Sequence, residues 1–562
     1  MKANRQAAII LMTLLCLAYQ VPMQAEQTPV TPTDDDPGVA SGGAFSPFGI
    51  GGDAHTGQNL TTWIPQMAAI GIHMMRCCYP NQMDYLADRH MKFGGLLYTI
   101  PPGDTLDSPG SLPVKNLGAW SAYVTERVRQ ARGRVKYWEL WNEPPNGIGP
   151  GQTAADYARL LITTFDAAKA ADPTCRVGMA AKSVHVNWLE QTIKAGGKDH
   201  FDYIILHPYE TLGCAVDHPG AEPIFMSIVP TVRKMLAAQD PDKVNVPIIC
   251  TELGYDAGRG TDLQGYAVVK AYTMGIAQGI ACIEWFEGID GDSGPMGLLQ
   301  ADGKSRPSYT AMAQMIKYLG QHPAYLGWVL LNDKDYGFVF QGDRDPILIT
   351  WAKKGTTDMV HFGRKVPVVE PLTGHTTQTD GYSLTEAPVI VDGAPEDLIQ
   401  QARGNLTMPF PWDGDYTGAK SISVTYGPTN LEKGLHTQSA AAVAADVIAY
   451  GGSARAGGVP GGVVFMVDPN FLCYTATPIE ISIVVRRDAA NDNAGFKLNY
   501  ESSSGYKNFG WYTVPDNKEW HTVKWKITDA QFVSMWGYNF SLDSDGNLYN
   551  KYDIQSVTVT KL

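Results

Sequence analysis

"VKYWELWNE" (Val135–Glu143), "TAADYARLLITTFDAAKAADP" (Thr153–Pro173) and "RVGMAAK" (Arg176–Lys182) follow one another along the chain. The first and third are short apolar runs of strand length. The second places apolar residues at helical spacing and stops at a proline. A strand, a helix and another strand in that order form a β-α-β unit with parallel strands. The alternation continues outward on both sides. Further strand-like runs begin at Phe48 ("FGIGGD"), Ile72 ("IHMMRCC"), Phe93 ("FGGLLYTI"), Asp202 ("DYIILHPY"), Val246 ("VPIICTEL") and Ala281 ("ACIEWFEG"). Amphipathic segments such as "AWSAYVTERVRQARG", "LQGYAVVKAYTMGIAQG" and "PSYTAMAQMIKYLG" separate or follow them. Eight alternations over roughly 270 residues predict an α/β chain folded as a (β/α)8 TIM barrel, whose usual size is about 250. A doubly wound sheet would want a glycine-rich phosphate turn after its first strand, and "GIGGDAHTG" does not supply one.

The flanks read differently. Lys2 and Arg5 precede the apolar run "AAIILMTLLCLAY", which is too short for a membrane span. With Ala25 as a cleavage residue, 1–25 reads as a signal peptide. Residues 26–44 are rich in Pro, Thr, Asp and Gly, as in a flexible leader. The barrel is expected over 45–320. Beyond it the helical period gives way to short runs split by Gly, Asp and Asn, predicting all-β modules over 321–400 and 401–562. "DSDGN" (Asp543–Asn547) reads as a β-turn rather than a calcium loop.

Composition narrows the function. The 562 residues are 44% hydrophobic, with 13 Trp, 27 Tyr and a net charge of -13. Nucleic-acid binders need a basic face, so nucleic acid is not an expected partner. The balance suits an exported protein, secreted or periplasmic in a bacterium, that handles neutral, stackable ligands. Without Cys16 the cysteines are odd in number and scattered apart from Cys77 and Cys78, unlike a disulfide scaffold. No Cys/His cluster has zinc spacing, so neither a metal site nor a cofactor is expected.

Barrel active sites sit at the C-terminal ends of the strands. There the chain places Asp53 and His55 (strand 1), Arg76 (strand 2), Asn142 and Glu143 (strand 4), His207 and Tyr209 (strand 6), Glu252 (strand 7) and Trp285 (strand 8). Two carboxylates facing each other across the mouth suit glycosidic cleavage. One protonates the departing oxygen, and the other attacks the sugar or activates water. Arg76 would keep Glu252 ionised, Tyr209 would donate to it, and Trp285 would offer a flat platform to a sugar ring. Asp53 and His55 are candidate substrate ligands. Glu139, on the same face as Trp141 and Glu143 by alternation, is expected deeper, as a buried and partnered carboxylate. Glu284 and Glu287 are candidates for lining the mouth, without a catalytic role.

"WNEP" on the fourth strand, "HPY" on the sixth, "TELGY" on the seventh and an aromatic eighth strand resemble clan A of the glycoside hydrolases. The chain is most similar to family 39 and its relatives, with family 5 as a near neighbour. The resemblance covers about Phe48 to Gly320. It implies Glu143 as acid/base, Glu252 as nucleophile and Asn142 on the sugar 2-hydroxyl. It also places Arg76, His207 and Tyr209 at the site, and implies retention with carboxyl groups about 5 Å apart. The partner implied is an oligo- or polysaccharide. Residues 321–400 look like the β-sandwich accessory domain of that clan. Residues 401–562 resemble a carbohydrate-binding β jelly-roll, with Tyr506, Trp511, Tyr512 and Trp520 as its candidate stacking surface. The alternative is a catalytically inactive carbohydrate-binding protein on a barrel scaffold.

Overall fold

The computed structural model describes residues 46–51, 60–76, 82–99, 101, 110–218, 220–427, 429–437, 454–457, 463–488, 490, 493–517, 519–546 and 548–562. The signal peptide, the leader, Asp53, His55, Cys77 and Cys78 lie outside the described residues. The chain divides into two compact units: one reaches Leu212 and resumes over Val232–Leu406, and the other joins Gly213–Thr231 to Thr407–Leu562. No contiguous reading of the sequence anticipates such a division.

The first unit holds nine parallel strands: β1 (Phe48–Gly51), β2 (Met74–Arg76), β3 (Lys92–Phe93), β4 (Gly95–Leu97), β5 (Tyr137–Leu140), β6 (Arg176–Lys182), β7 (Tyr203–His207), β8 (Ile248–Leu253) and β9 (Cys282–Trp285). Their order is β3-β2-β1-β9-β8-β7-β6-β5-β4. β3 and β4 are halves of the single run read at Phe93, separated at Gly94, whose N–H donates to the Met75 carbonyl at 3.0 Å. Lys92 and Phe93 pair with β2, whereas Gly95, Leu96 and Leu97 pair with β5. One strand thus closes the ring, and the architecture is a parallel α/β barrel.

Both faces of these strands are covered, which is why they read as continuous apolar runs. β7 is buried at all five positions. Met74, Ala180, Tyr203, Ile205, Ile249 and Cys282 fill the interior. Outside lie helices such as Leu117–Gln130, where the Asn116 side chain accepts from the Ala119 N–H at 3.0 Å. Helix Ala154–Ala171 turns Tyr157, Leu160, Leu161 and Ala168 to the core. The register leaves no room at Gly95, where a Cβ would lie 2.5 Å from the Trp138 ring. Gly95→Ala should therefore cost about 1–3 kcal/mol through overpacking. A urea midpoint equal to wild type would show instead that the indole yields freely.

The same unit continues as six antiparallel strands in one hydrogen-bonded order: β10 (Ala324–Leu331), β11 (Asp335–Gln341), β12 (Pro346–Thr350), β15 (Val389–Asp392), β13 (Asp358–Val369) and β14 (Thr376–Leu384). Helix Glu396–Asn405 covers one face, and Asn405 Nδ2 donates to the Trp328 carbonyl at 3.0 Å. Trp351 meets the Lys270 ammonium of helix Thr261–Gln278 at 5.2 Å.

Among the described residues, the second unit is built on a twelve-stranded antiparallel sheet with a core that includes Ile481, Ile483, Phe496, Leu498, Phe540, Val557 and Val559. It scatters the four aromatics expected to form one surface. Tyr512 packs on Phe496 and Trp525, Tyr506 bonds Glu501 and the Tyr538 carbonyl, and Trp520 lies under Arg486. Of the four, Trp511 alone is exposed, at 39%, with Tyr549 edge-on at 4.9 Å. Core and surface aromatics carry the same letter in a sequence, so alternation about an unknown register could not separate them. The Asp543 side chain accepts from the Asp545 N–H at 3.0 Å, a turn-type bond.

Candidate active site

Arg76, at the end of β2, is the centre of the polar cluster. Its Nε and Nη2 donate to the two carboxylate oxygens of Glu139 at 2.9 and 2.7 Å. Nη2 also donates to Asn142 Oδ1 at 2.8 Å, and Nη1 to Glu252 Oε1. Arg76 and Glu139 are 8% and 3% exposed, so Glu139 is the deep, partnered carboxylate expected of it. One planar guanidinium with a fork of donors can serve all three acceptors, which a lysine could not.

Past Leu140 the strand geometry ends abruptly. Trp141 and Glu143 have φ of 65° and 51°, in the left-handed region that non-glycine residues rarely adopt. Alternation therefore fails: Trp141 does not share the face of Glu139. It packs on Tyr98 and Trp120 and donates Nε1–H to the Gly147 carbonyl. The Glu143 carbonyl accepts from the Asn146 and Gly147 N–H groups at 2.9 and 3.0 Å, which holds the turn. Strained backbone of this kind, about 1–3 kcal/mol per residue, persists where the surroundings over-determine it, and such places cluster at functional sites.

His207, at the end of β7 and 1% exposed, ties the two candidate carboxylates together. Its Nδ1 lies 3.2 Å from Glu143 Oε1 and 3.5 Å from Glu252 Oε2. Its Nε2 lies 2.9 Å from Thr251 Oγ1. Tyr209 donates to Glu252 Oε2 at 3.2 Å. An oxygen of Glu143, an oxygen of Glu252 and a ring nitrogen of His207 all fall within 4.8 Å of one another. Both carboxylates keep contact with solvent, with side chains 24% and 15% exposed.

The charges around Glu143 compete. Burial pushes its carboxyl up, but the hydrogen bond and charge of His207, with the charges of Lys182 and Arg76, hold it down at about 2. Burial alone would lower His207, yet Glu252 and the bond to Glu143 raise it above its ordinary value. One proton therefore belongs to the His207–Glu143 pair as a unit. Lys182 (Nζ 3.9 Å from Glu143 Oε2) is a site residue that the sequence reading missed. It ends the apolar run of β6, and its place at a strand end was the available signal.

Trp285 requires a correction. It is completely buried, so its ring presents no platform to a ligand. Cys282 and Glu284 line the barrel interior, and alternation along β9 turns Trp285 to the opposite face. Glu284 and Glu287 are likewise buried, and Glu287 accepts from the Gly291 N–H at 3.0 Å.

Among the described residues, Glu143, His207 and Glu252 are also the one group spaced to hold a metal ion. The Arg76 guanidinium already occupies Glu252 and Lys182 stands by Glu143, so two cations oppose a third charge there. No described helix is long and apolar enough to cross a membrane.

No protein-family model and no curated protein matches the chain. Among solved structures, it is similar to a family 39 glycoside hydrolase from the gut symbiont Bacteroides cellulosilyticus WH2. Identity is 19% over 62% of this chain and 81% of that one, with a TM-score of 0.51. A family 39 β-xylosidase from Caulobacter crescentus matches at 20% identity over 62% of this chain and 96% of that one, with a TM-score of 0.45. A family 30 endoxylanase from Clostridium papyrosolvens C71 matches at 11% over 62% and 97%, with a TM-score of 0.46. The likeness is one of fold: the barrel resembles that of the family 39 structure.

Proposed function

We propose that the chain is an exported, retaining glycoside hydrolase acting on O-glycosidic bonds of an oligo- or polysaccharide. The observation that carries this reading is the pair Glu143 and Glu252, on the fourth and seventh barrel strands, with carboxylate oxygens within 4.8 Å. Double displacement needs close carboxyl groups, about 5–5.5 Å apart, whereas inversion leaves room for a water between them. Glu252, held by Arg76 and Tyr209, attacks the anomeric carbon as the carboxylate. The bond to the leaving oxygen breaks, and that oxygen takes the proton of the His207–Glu143 pair. Water then attacks the glycosyl–Glu252 ester and gives a proton back to Glu143. Asn142, oriented by Arg76, is placed for the sugar hydroxyl next to the reacting carbon. For the second unit, we propose a carbohydrate-binding jelly-roll, supported by its antiparallel architecture and the exposed Trp511 and Tyr549.

Glu143→Ala should slow hydrolysis of glycosides with poor leaving groups by about 10²–10⁴-fold and leave activated aryl glycosides much less affected. kcat/KM of the wild type should fall as pH rises through the upper titration of the pair, above the ordinary histidine value of about 6.5. The variant should lose that limb. An equal loss on all leaving groups, with the limb retained, would remove Glu143 from the acid role. Binding across a glycan panel with no hydrolysis would point instead to a capture protein.

A further inference from the structure

A small chamber of about 20 Å³ lies inside the barrel, one layer below the carboxylate site. Arg76, Glu139 and Thr251 form its upper wall, and Met74, Tyr137 and Ile249, two residues earlier on the same strands, form its lower wall. The volume exceeds the 10–15 Å³ or so that one water requires. Glu284 projects into it from β9. The side chain is 1% exposed, and neither carboxylate oxygen has a hydrogen-bond partner among the described residues.

An ionised Glu284 would be the third carboxylate around one guanidinium, after Glu139 and Glu252, and the only one that Arg76 does not bond. A buried, unbonded charge is among the most costly groups a fold can carry. A neutral carboxylic acid has an O–H to donate and a carbonyl to accept, and one water in the chamber would satisfy both.

We propose that Glu284 is a neutral carboxylic acid hydrogen-bonded to a water in this chamber, a positioning residue that does not compete with Glu139 and Glu252 for the Arg76 guanidinium. The groups facing it agree. Burial raises Glu284 well above the usual carboxylate range; Arg76 opposes this, while Glu139 and Glu252 reinforce it. Tyr203 on β7, Cys250 on β8, Cys282 on β9 and Tyr272 on helix Thr261–Gln278 are themselves held neutral by burial and bring no positive charge.

The test needs no substrate, so its outcome is separate from that of the glycosidase reading. The infrared spectrum at about pH 8 should contain the C=O stretch of a protonated carboxyl, and Glu284→Gln should remove it. Glu501 and Asp468, pushed up by burial to about 7, are largely ionised at that pH. A proton held in the folded state and released on unfolding makes stability fall as pH rises above the free glutamate value of about 4.3. The Tm of Glu284→Gln should therefore gain on wild type between pH 5 and pH 8. A crystal structure of the wild-type chain should show one ordered water bonded to Glu284. No carboxyl band at pH 8, a pH-independent Tm difference, or a cation in the chamber would each overturn the proposal.

Discussion

Glu252→Ala should lower kcat by on the order of 10⁴-fold or more on every responsive substrate, with the fold intact. The size of the loss follows from the role: without a nucleophile there is no glycosyl ester, and the path is closed rather than slowed. The fold should survive because Arg76 retains its two bonds to Glu139 and its bond to Asn142. The alanine leaves a gap on the face opposite Glu143, and azide can enter it. Rescue should give a glycosyl azide of inverted configuration, since one displacement replaces two. A variant near wild-type rate, or rescue with retention, would end the nucleophile assignment.

Arg76→Met should have the largest effect on stability, about 3–5 kcal/mol, because it removes one partner of a buried ion pair and strands the other. The volume is roughly conserved while the charge disappears, so Glu139 at 3% exposure is left without its bidentate partner. Adding Glu139→Gln to Arg76→Met should return part of the loss, with a coupling of about 0.5–3 kcal/mol. Strict additivity in urea unfolding would mean that the two side chains are energetically independent. Activity should fall with stability in the single variant and should not return in the double, since Glu252 and Asn142 have lost their common donor.

Much of the barrel was legible because parallel strands must be apolar on both faces and must alternate with helices. The runs at Phe48, Ile72, Phe93, Val135, Arg176, Asp202, Val246 and Ala281 each coincide with barrel strands. The Arg76–Glu252 and Tyr209–Glu252 contacts were legible for a related reason, since strand order alone brings those ends together. Trp285 was misread because a residue at a strand end can face either way, and only the register with Cys282 and Glu284 decides it. Trp141 was misread because alternation holds only while φ stays extended, and a tryptophan with φ of 65° gives no warning in the sequence. Lys182 was passed over because a lysine closing a strand is ordinarily a solvated end.

The two adjacent glycines of the third barrel strand are alike as letters and unlike in what they permit. Both border the chamber beneath the carboxylates and contribute no side chain to its wall. At Gly95 an added Cβ would lie 2.5 Å from the Trp138 ring, so a methyl group there is penalised. At Gly94 the nearest atom to an added Cβ is the Tyr137 carbonyl oxygen at 3.7 Å, an ordinary contact. The Gly94 position thus has space beside the chamber, whereas a Cβ at Gly95 is directed at Trp138, which alternates to the opposite face from Tyr137 and Glu139. A single alanine at Gly94 would dry the floor beneath the candidate carboxylates and leave the residues that carry them in place.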